Sequence, residues 1–541
     1  MKRLPRKPSL DHLKKQAKDL LSRHREGDPE AVARVQATLP RAVPDSLRLH
    51  DAQACIARDY GFASWTELKR FVALSSAQTS DPATLLRTLL SLVYAGDIAG
   101  GMNRAQPALA ARLLEEAKDR LPESPYLACA IGDDATLRRE TERHPAWVNE
   151  AGGPLALPPL VAVTQSSLIR LPAYRDGLLR STKALLDAGA DPNQSVPSRW
   201  AATPETASKA FPLSALYGAA GQNHDEEMTR LLLAAGADPD DNESLYHSLD
   251  NPACTRLLLE AGARITGTNA LYRALDLADP EPLRLLLAYG ADPNEPPPGL
   301  PTSDWGAPLL WAIRRQRSSA HIAALLAAGA DPNTRTPGGE SAYDLARQFG
   351  LPDVAEALRK AGATVPPRTS LADEFVAACA RADEKAARAI LAETPDIVGK
   401  LSERQLRIMP ELAAEGQDAA VRLMVTLGWP IDARGGDWTA SALNLAVFRG
   451  DAELARFLLA NGAQWTERHG FDDNVLGTLS WASCNEPVEG GDWAGCAEAL
   501  VSAGLPPARW NPDGSGAVLI DGHRKRFSDA VAEILLAASA T

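Results

Sequence analysis

The chain has 541 residues, 45% of them hydrophobic but only 5% aromatic, and a formal net charge of −12. That charge argues against a surface built as a whole for nucleic acid or an anionic membrane. Length alone would suggest three or four domains, a prior that internal repeats override because each repeat touches only its neighbours.

The first segment, residues 1–73, reads as a small helical leader domain. Leu10, Leu13, Ala17, Leu20 and Leu21 share one helical face, and a second helix is predicted from Pro29 to Leu39. Gly61 closes a third, and Ser64-Trp65-Thr66-Glu67 has the form of a capping box opening a fourth, with Phe62 and Trp65 filling the core. Basic residues crowd the start: Lys2, Arg3, Arg6, Lys7, Lys14, Lys15, Lys18, Arg23 and Arg25. They suit either a nucleic-acid arm or a solvated face docked on the acidic remainder, and no aromatic stacking platform accompanies them. The opening MKRLPRKPSLDHLKK leads into no apolar core of signal-peptide length, and no stretch approaches a membrane span. Six cysteines at 55, 129, 254, 379, 484 and 496 form no C-x-x-C pair, as in a reducing compartment. A cytoplasmic location is expected.

Residues 74–83 read as a linker and residues 84–122 as an atypical N-terminal cap of two helices around Gly100-Gly101. From residue 123 to residue 510 the chain repeats itself. In SALNLAVFRGDAELARFLLANGAQW, Leu443, Leu445 and Ala446 make one apolar stripe, and Leu454, Phe457, Leu458 and Leu459 a second. Arg449-Gly450-Asp451 turns between them and Gly462 supplies a left-handed exit. Leu443 lies 19 positions before Gly462, as Leu271 does before Gly290 and Tyr343 before Gly362. Further exits fall at Gly189, Gly236, Gly262, Gly329, Gly428 and Gly504, with Pro145 and Pro395 in the same place in two other copies. Neither helix is long enough to be stable alone, so the units must stack.

A spacing near 33, a Pro-Leu helix start (Phe211-Pro212-Leu213-Ser214, Ala307-Pro308-Leu309-Leu310) and a Gly-Ala-Asp exit together resemble the ankyrin repeat. The leader is similar to one that precedes the repeats in a group of bacterial ankyrin proteins. The resemblance implies an all-α fold: an ankyrin-repeat solenoid of about eleven helix-turn-helix units after a small helical domain. It also implies partner proteins held on the concave face and fingers. The exits often read Asp-Pro-Asn (191–193, 292–294, 331–333), and because proline cannot donate to a ladder, fingers that are loops more than strands are expected.

Three insertions interrupt the array. QSVPSRWAATPETASKA and EPPPGLPTSDWG lie ahead of first helices, at the finger, whereas SCNEPVEGGDWAG falls between the two helices of its unit. Trp200 and Trp305 are thereby placed near fingertips, and Trp438 occupies the same place in a later repeat. Each is either a partner-binding residue or an indole folded back over its own finger. Trp311 and Trp465 are read as packing residues. The segment 511–541 is expected to be a C-terminal cap ending in a helix that buries Val531, Ile534 and Leu535.

The motifs of chemistry are missing: no phosphate loop, no H-E-x-x-H, no G-x-S-x-G and no G-x-G-x-x-G after a strand. His247, His321 and His469 have no ligand-spaced partner, although Asp472 and Asp473 flank His469. The expected function is a non-catalytic protein-protein interaction scaffold with no cofactor or metal, monomeric and without membrane or nucleic-acid partners. The alternative is an enzyme or nucleic-acid-directed factor whose activity lies in the N-terminal helical region, the repeats serving as targeting device.

Overall fold

The computed structural model describes residues 4–5, 8–38, 47, 49–62, 65–76, 81–100, 104–199, 212–296, 305–366, 369–511 and 517–538. The chain is mostly helical, and it divides into two compact units, Met1–Ala270 and Leu271–Thr541. Among the described residues no helix is long and apolar enough to cross a membrane.

In the first unit the leader forms four helices, Leu10–Arg25, Pro29–Thr38, Leu49–Asp59 and Trp65–Ser76. Leu13, Ala17, Leu20 and Leu21 are buried, as are Phe62 and Trp65. Ser64, the first residue of the expected capping box, lies outside the described residues. Helix reaches Ser76 and resumes at Pro82, capped by Asp81, and residues 77–80 of the expected linker over 74–83 lie outside the described residues. The leader is joined to the helix Pro107–Ala117 by Arg112, whose guanidinium lies 4.0 Å from the Phe62 ring and donates to the Tyr60 and Gly61 carbonyls. Arg23, one of the basic residues at the start, is engaged by Asp28 and Glu30.

Antiparallel helix pairs come next in the chain: Pro125–Ile131 with Asp134–Arg143, Pro159–Thr164 with Pro172–Asp187, a π-helical turn Tyr217–Gln222 with Glu226–Ala234, and Ser244–Ser248 with Pro252–Glu260. The second unit continues the pattern with Glu281–Ala288 completing the pair begun at Ala270–Asp276, then Pro308–Arg314 with Ser319–Ala327, and Ala342–Gln348 with Pro352–Lys360. Leu371–Ala380 pairs with Glu384–Glu393, Ile408–Ala414 with Asp418–Thr426, Ala442–Arg449 with Ala452–Ala460, and Val475–Asn485 with Trp493–Ser502. Within each unit first helices pack on first helices of neighbouring pairs and second helices on second. Cys129 and Cys379 are fully buried on first helices, where they pack as small apolar groups.

The local chemistry explains the pattern. Six of the second helices open on a carboxylate or carboxamide cap: Asp133, Asp225, Asn251, Asp383, Asp451 and Asp492 each accept from a first-turn N–H. Every predicted glycine exit from Gly189 to Gly504 has φ between +88° and +101°, and a Cβ there would meet nothing within 4 Å. Glycine is thus required at these exits by backbone conformation and not by space.

The Asp-Pro-Asn exits tie one pair to the next. The aspartate accepts from the N–H of the asparagine two residues on, at 2.9 Å in each of Asp191, Asp292 and Asp331. Asn294 then donates to the Gly329 carbonyl and accepts from the Asp331 N–H, and Asn333 does the same with Gly362 and Thr364. In the first unit Asn149 bridges Gly189 and Asp191, and Asn193 accepts from the Asp238 N–H. Fingers carry little ladder, as expected of their prolines: strands Ser195–Pro197 with Pro212–Ser214, Arg434–Gly435 with Ala440–Ser441, and single bridges at Arg335–Ser341 and Arg468–Asn474.

The all-α expectation holds for most of the chain, with, apart from the short finger ladders, one small sheet beside the helices. The C-terminal apolar run is the middle strand of a three-stranded antiparallel sheet, Ala508–Trp510, Val518–Ile520 and His523–Lys525, before the helix Asp529–Ala537. Asp521 and Gly522 both have positive φ and make the tight hairpin between the last two strands. The helix buries Val531 and Leu535, as expected, and Ala532 with them, whereas Ile534 is only half-buried.

Candidate functional site: an aromatic row on successive fingers

The hairpin Arg434–Ser441 carries Trp438 at its turn, and the next finger, closed by the Arg468–Asn474 bridge, carries His469 and Phe471. The Gly470 N–H donates to the Trp438 carbonyl at 2.6 Å, fastening one finger to the other. Below them, Asn444 is fully buried: its amide donates to the Ser441 hydroxyl and the Glu467 carbonyl and accepts from the Thr478 hydroxyl. Such a satisfied polar joint holds the two fingers and two first helices in one register.

On this base five rings form a row. Trp438 meets His469 edge-on at 5.0 Å, Phe448 at 5.5 Å and Phe471 at 6.4 Å. Phe448, in the last turn of its helix, lies parallel to Trp481 of the next pair's first helix at 5.6 Å. Phe471 is 74% exposed and Trp481 45%, while Trp438 and Phe448 are half-buried. A contiguous exposed aromatic patch is uncommon on a protein surface and has the composition of a contact hot spot.

His469 is the buried member. Burial pulls its pKa below the ordinary histidine value; Asp473 opposes this, and Lys525, Arg434 and Arg468 reinforce it. Its Nδ1 accepts from the Phe471 N–H at 3.3 Å, so the neutral ring holds Phe471 in place. A group favoured neutral by the fold costs stability once the unfolded chain can bind the proton. The finger should therefore loosen as pH falls below about 6.5 and towards the lowered folded value. Hydrogen exchange at residues 468–474 should show this loss of protection, and His469→Gln should remove its pH dependence. The carboxylates beside His469 are engaged elsewhere, Asp472 with Arg468 and Asp473 with Lys525.

The three tryptophans read from the sequence fare differently. Trp438 belongs to the row. Trp305 is no fingertip: it is 3% exposed, 4.9 Å from Trp311, with the Arg314 and Arg315 guanidiniums at 5.3 and 5.2 Å from its ring. The helix after it draws the indole inward, so it covers its own unit. Trp200 lies outside the described residues. Phe448, Phe471 and Trp481 were missed, although a signal was available: Phe471 stands 33 positions after Trp438, and Trp481 stands 33 after Phe448.

Earlier in the second unit the same side of the first helices is filled from within. Arg314 and Glu411, side chains 9% and 4% exposed and 97 residues apart, pair at 3.1 Å. Arg317 reaches Glu415 at 2.8 Å, and Arg315 engages Asp276 and Asp437. Burial pushes Glu411 and Glu415 above the usual carboxylate range, and the arginines pull against it. In the first unit Asp97 is likewise pushed up by burial, and the Tyr217 hydroxyl lies 3.2 Å from its Oδ2. Arg199 donates to the Asp97, Ile98 and Leu155 carbonyls, so these groups dock the short helix Gly96–Ala99 against the repeats. Compared with models of known protein families and with curated protein sequences, the chain matches none.

Proposed function

We propose that this protein is a non-catalytic scaffold of the ankyrin-repeat type that binds a partner protein on the fingers and first helices of its later repeats. The carrying observation is the row Trp438, Phe448, His469, Phe471 and Trp481, with Phe471 largely and Trp481 nearly half in water. The ankyrin reading draws support from helix pairs with left-handed glycine exits and from the short fingers ahead of first helices. In that architecture fingers and first helices line the concave face. The ion pairs from Arg314, Arg315 and Arg317 occupy that face earlier in the second unit, which directs a partner to the later repeats.

The test is capture of partners from the native cell by the full chain and by a Phe471→Ser, Trp481→Ser double variant. Phe471 is 74% exposed and Trp481 45%, so unfolding should shift by no more than about 1 kcal/mol, the value of the Phe448–Trp481 stacking. Hot-spot losses of roughly 2 kcal/mol each correspond to about thirtyfold weaker binding per site. A variant that folds and retains the same partners at the same yield removes this reading.

A further inference from the structure

The exit that leads into the Phe471 finger carries a group that its counterparts lack, a carboxamide. At Gly189, Gly236, Gly262, Gly329, Gly362 and Gly504 the residue before the glycine is alanine. Before Gly462 it is Asn461, the one asparagine in the sequence that a glycine follows. This pairing has a chemistry of its own. Glycine has no Cβ to shield its backbone nitrogen, so that nitrogen can reach the side-chain carbonyl carbon of the residue before it.

The site is open to water. Asn461 and Gly462 are both exposed, and a Cβ built on Gly462 would meet nothing within 4 Å. Two bonds restrain it: the Asn461 Nδ2–H donates to the Phe457 carbonyl at 2.8 Å, and the Gly462 N–H to the Leu459 carbonyl at 3.2 Å. Both belong to the last turn of the helix Ala452–Ala460, and the end of a helix is where it opens most readily.

We propose that Asn461 is a modification site, at which the chain converts its own asparagine to aspartate or isoaspartate when that last turn opens. The Gly462 nitrogen gives up its proton and bonds to the Asn461 Cγ. The Cγ–Nδ2 bond breaks, the amide leaves as ammonia and a succinimide ring remains. Water then opens the ring: cleavage at Cγ gives aspartate, and cleavage at the Asn461 main-chain carbonyl gives isoaspartate, with the chain rerouted through Cγ. In sum, water replaces ammonia, and no other co-reactant is needed.

Either product disturbs the finger. A carboxylate has no N–H for the Phe457 carbonyl, and it places a negative charge on the negative end of a helix. Isoaspartate also lengthens the main chain just ahead of Gln464, whose amide donates to the Gly462 carbonyl at 3.0 Å and whose backbone N–H donates to Glu467 at 2.7 Å. Glu467 in turn accepts from the Ser441 hydroxyl and, through its carbonyl, from Asn444, the joint beneath the aromatic row. The change thus passes from the exit to the finger that carries His469 and Phe471, whatever the row binds.

The experiment incubates the full chain at mildly alkaline pH and follows the fragment spanning residues 461–462 by mass spectrometry, with an isoaspartate-specific methyltransferase to mark the rerouted product there. A synthetic peptide LLANGAQW, which has no helix to hold the carboxamide, is the reference. The folded chain should lose the Asn461 amide severalfold more slowly than the peptide, ahead of every other asparagine, and more slowly still at mildly acidic pH. Asn461→Ala, with the residue found at the other exits, should fold and show no change. Converted chain, separated by its added charge, should exchange amide hydrogens at residues 464–474 severalfold faster than Asn461→Ala. An amide still intact once the peptide is consumed, a rate equal to the peptide's, or a converted chain with unchanged exchange overturns the proposal.

Discussion

Replacing Arg314 by methionine should destabilise the second unit by about 3–5 kcal/mol, among the largest effects available to one side chain in this protein. The cost arises less from the lost attraction than from what remains: Glu411, with a side chain 4% exposed, would be left buried without its nearest cation. Burial already pushes that carboxyl upward, and the arginine is the largest force opposing it. The double variant Arg314→Met, Glu411→Leu should recover most of the loss, because two apolar groups need no compensation for water they no longer require. Hydrogen exchange in the helices Pro308–Arg314 and Ile408–Ala414 reads both. A single variant costing under about 1 kcal/mol, the value of a solvated pair, would mean that water reaches the carboxylate.

Gly450→Ala should cost about 2–4 kcal/mol, and Gly462→Ala only about 1 kcal/mol, although the two glycines differ little in sequence context. Both have positive φ, +71° and +101°, so alanine is strained at either. Space separates them. A Cβ on Gly450 would stand 2.6 Å from the Gly491 Cα and 2.7 Å from the Asp492 nitrogen, whereas one on Gly462 would meet nothing within 4 Å. The atoms in the way are backbone, and the Asp492 N–H donates to the Gly450 carbonyl at 2.7 Å, so the turn of one pair rests directly on the loop of the next. Thermal unfolding of the two variants in parallel measures the difference. Equal losses would show that the loop carrying Gly491 yields.

What could be read from the sequence was whatever depends on a residue's own backbone. A glycine exit needs positive φ wherever it occurs, and Gly189, Gly329 and Gly462 announce themselves without a neighbour's help. Helix pairing comes as directly from the apolar stripes. The hairpin at Asp521-Gly522 carries a recognised turn signal that the apolar run beside it masks. Other features depend on who lies opposite. Nothing in the spacing of Arg314 and Glu411 tells that 97 residues of chain bring them together, and Trp305 reads as a fingertip until Trp311 and two guanidiniums enclose it. The aromatic row lies between these cases. Its 33-residue recurrence is written in the chain, but its exposure depends on fingers brought into register by bonds such as those of Asn444 and Gly470.

The asparagine ties between helix pairs separate two quantities that a stacked protein would otherwise have to change together. The same amide-to-backbone bond spans 31 residues from Asn333 to Thr364, 37 from Asn294 to Asp331, 42 from Asn149 to Asp191 and 45 from Asn193 to Asp238. Chain can therefore be added between one tie and the next while the bond that joins the pairs keeps the same form. Spans from 31 to 45 residues are thus accommodated by one and the same bond.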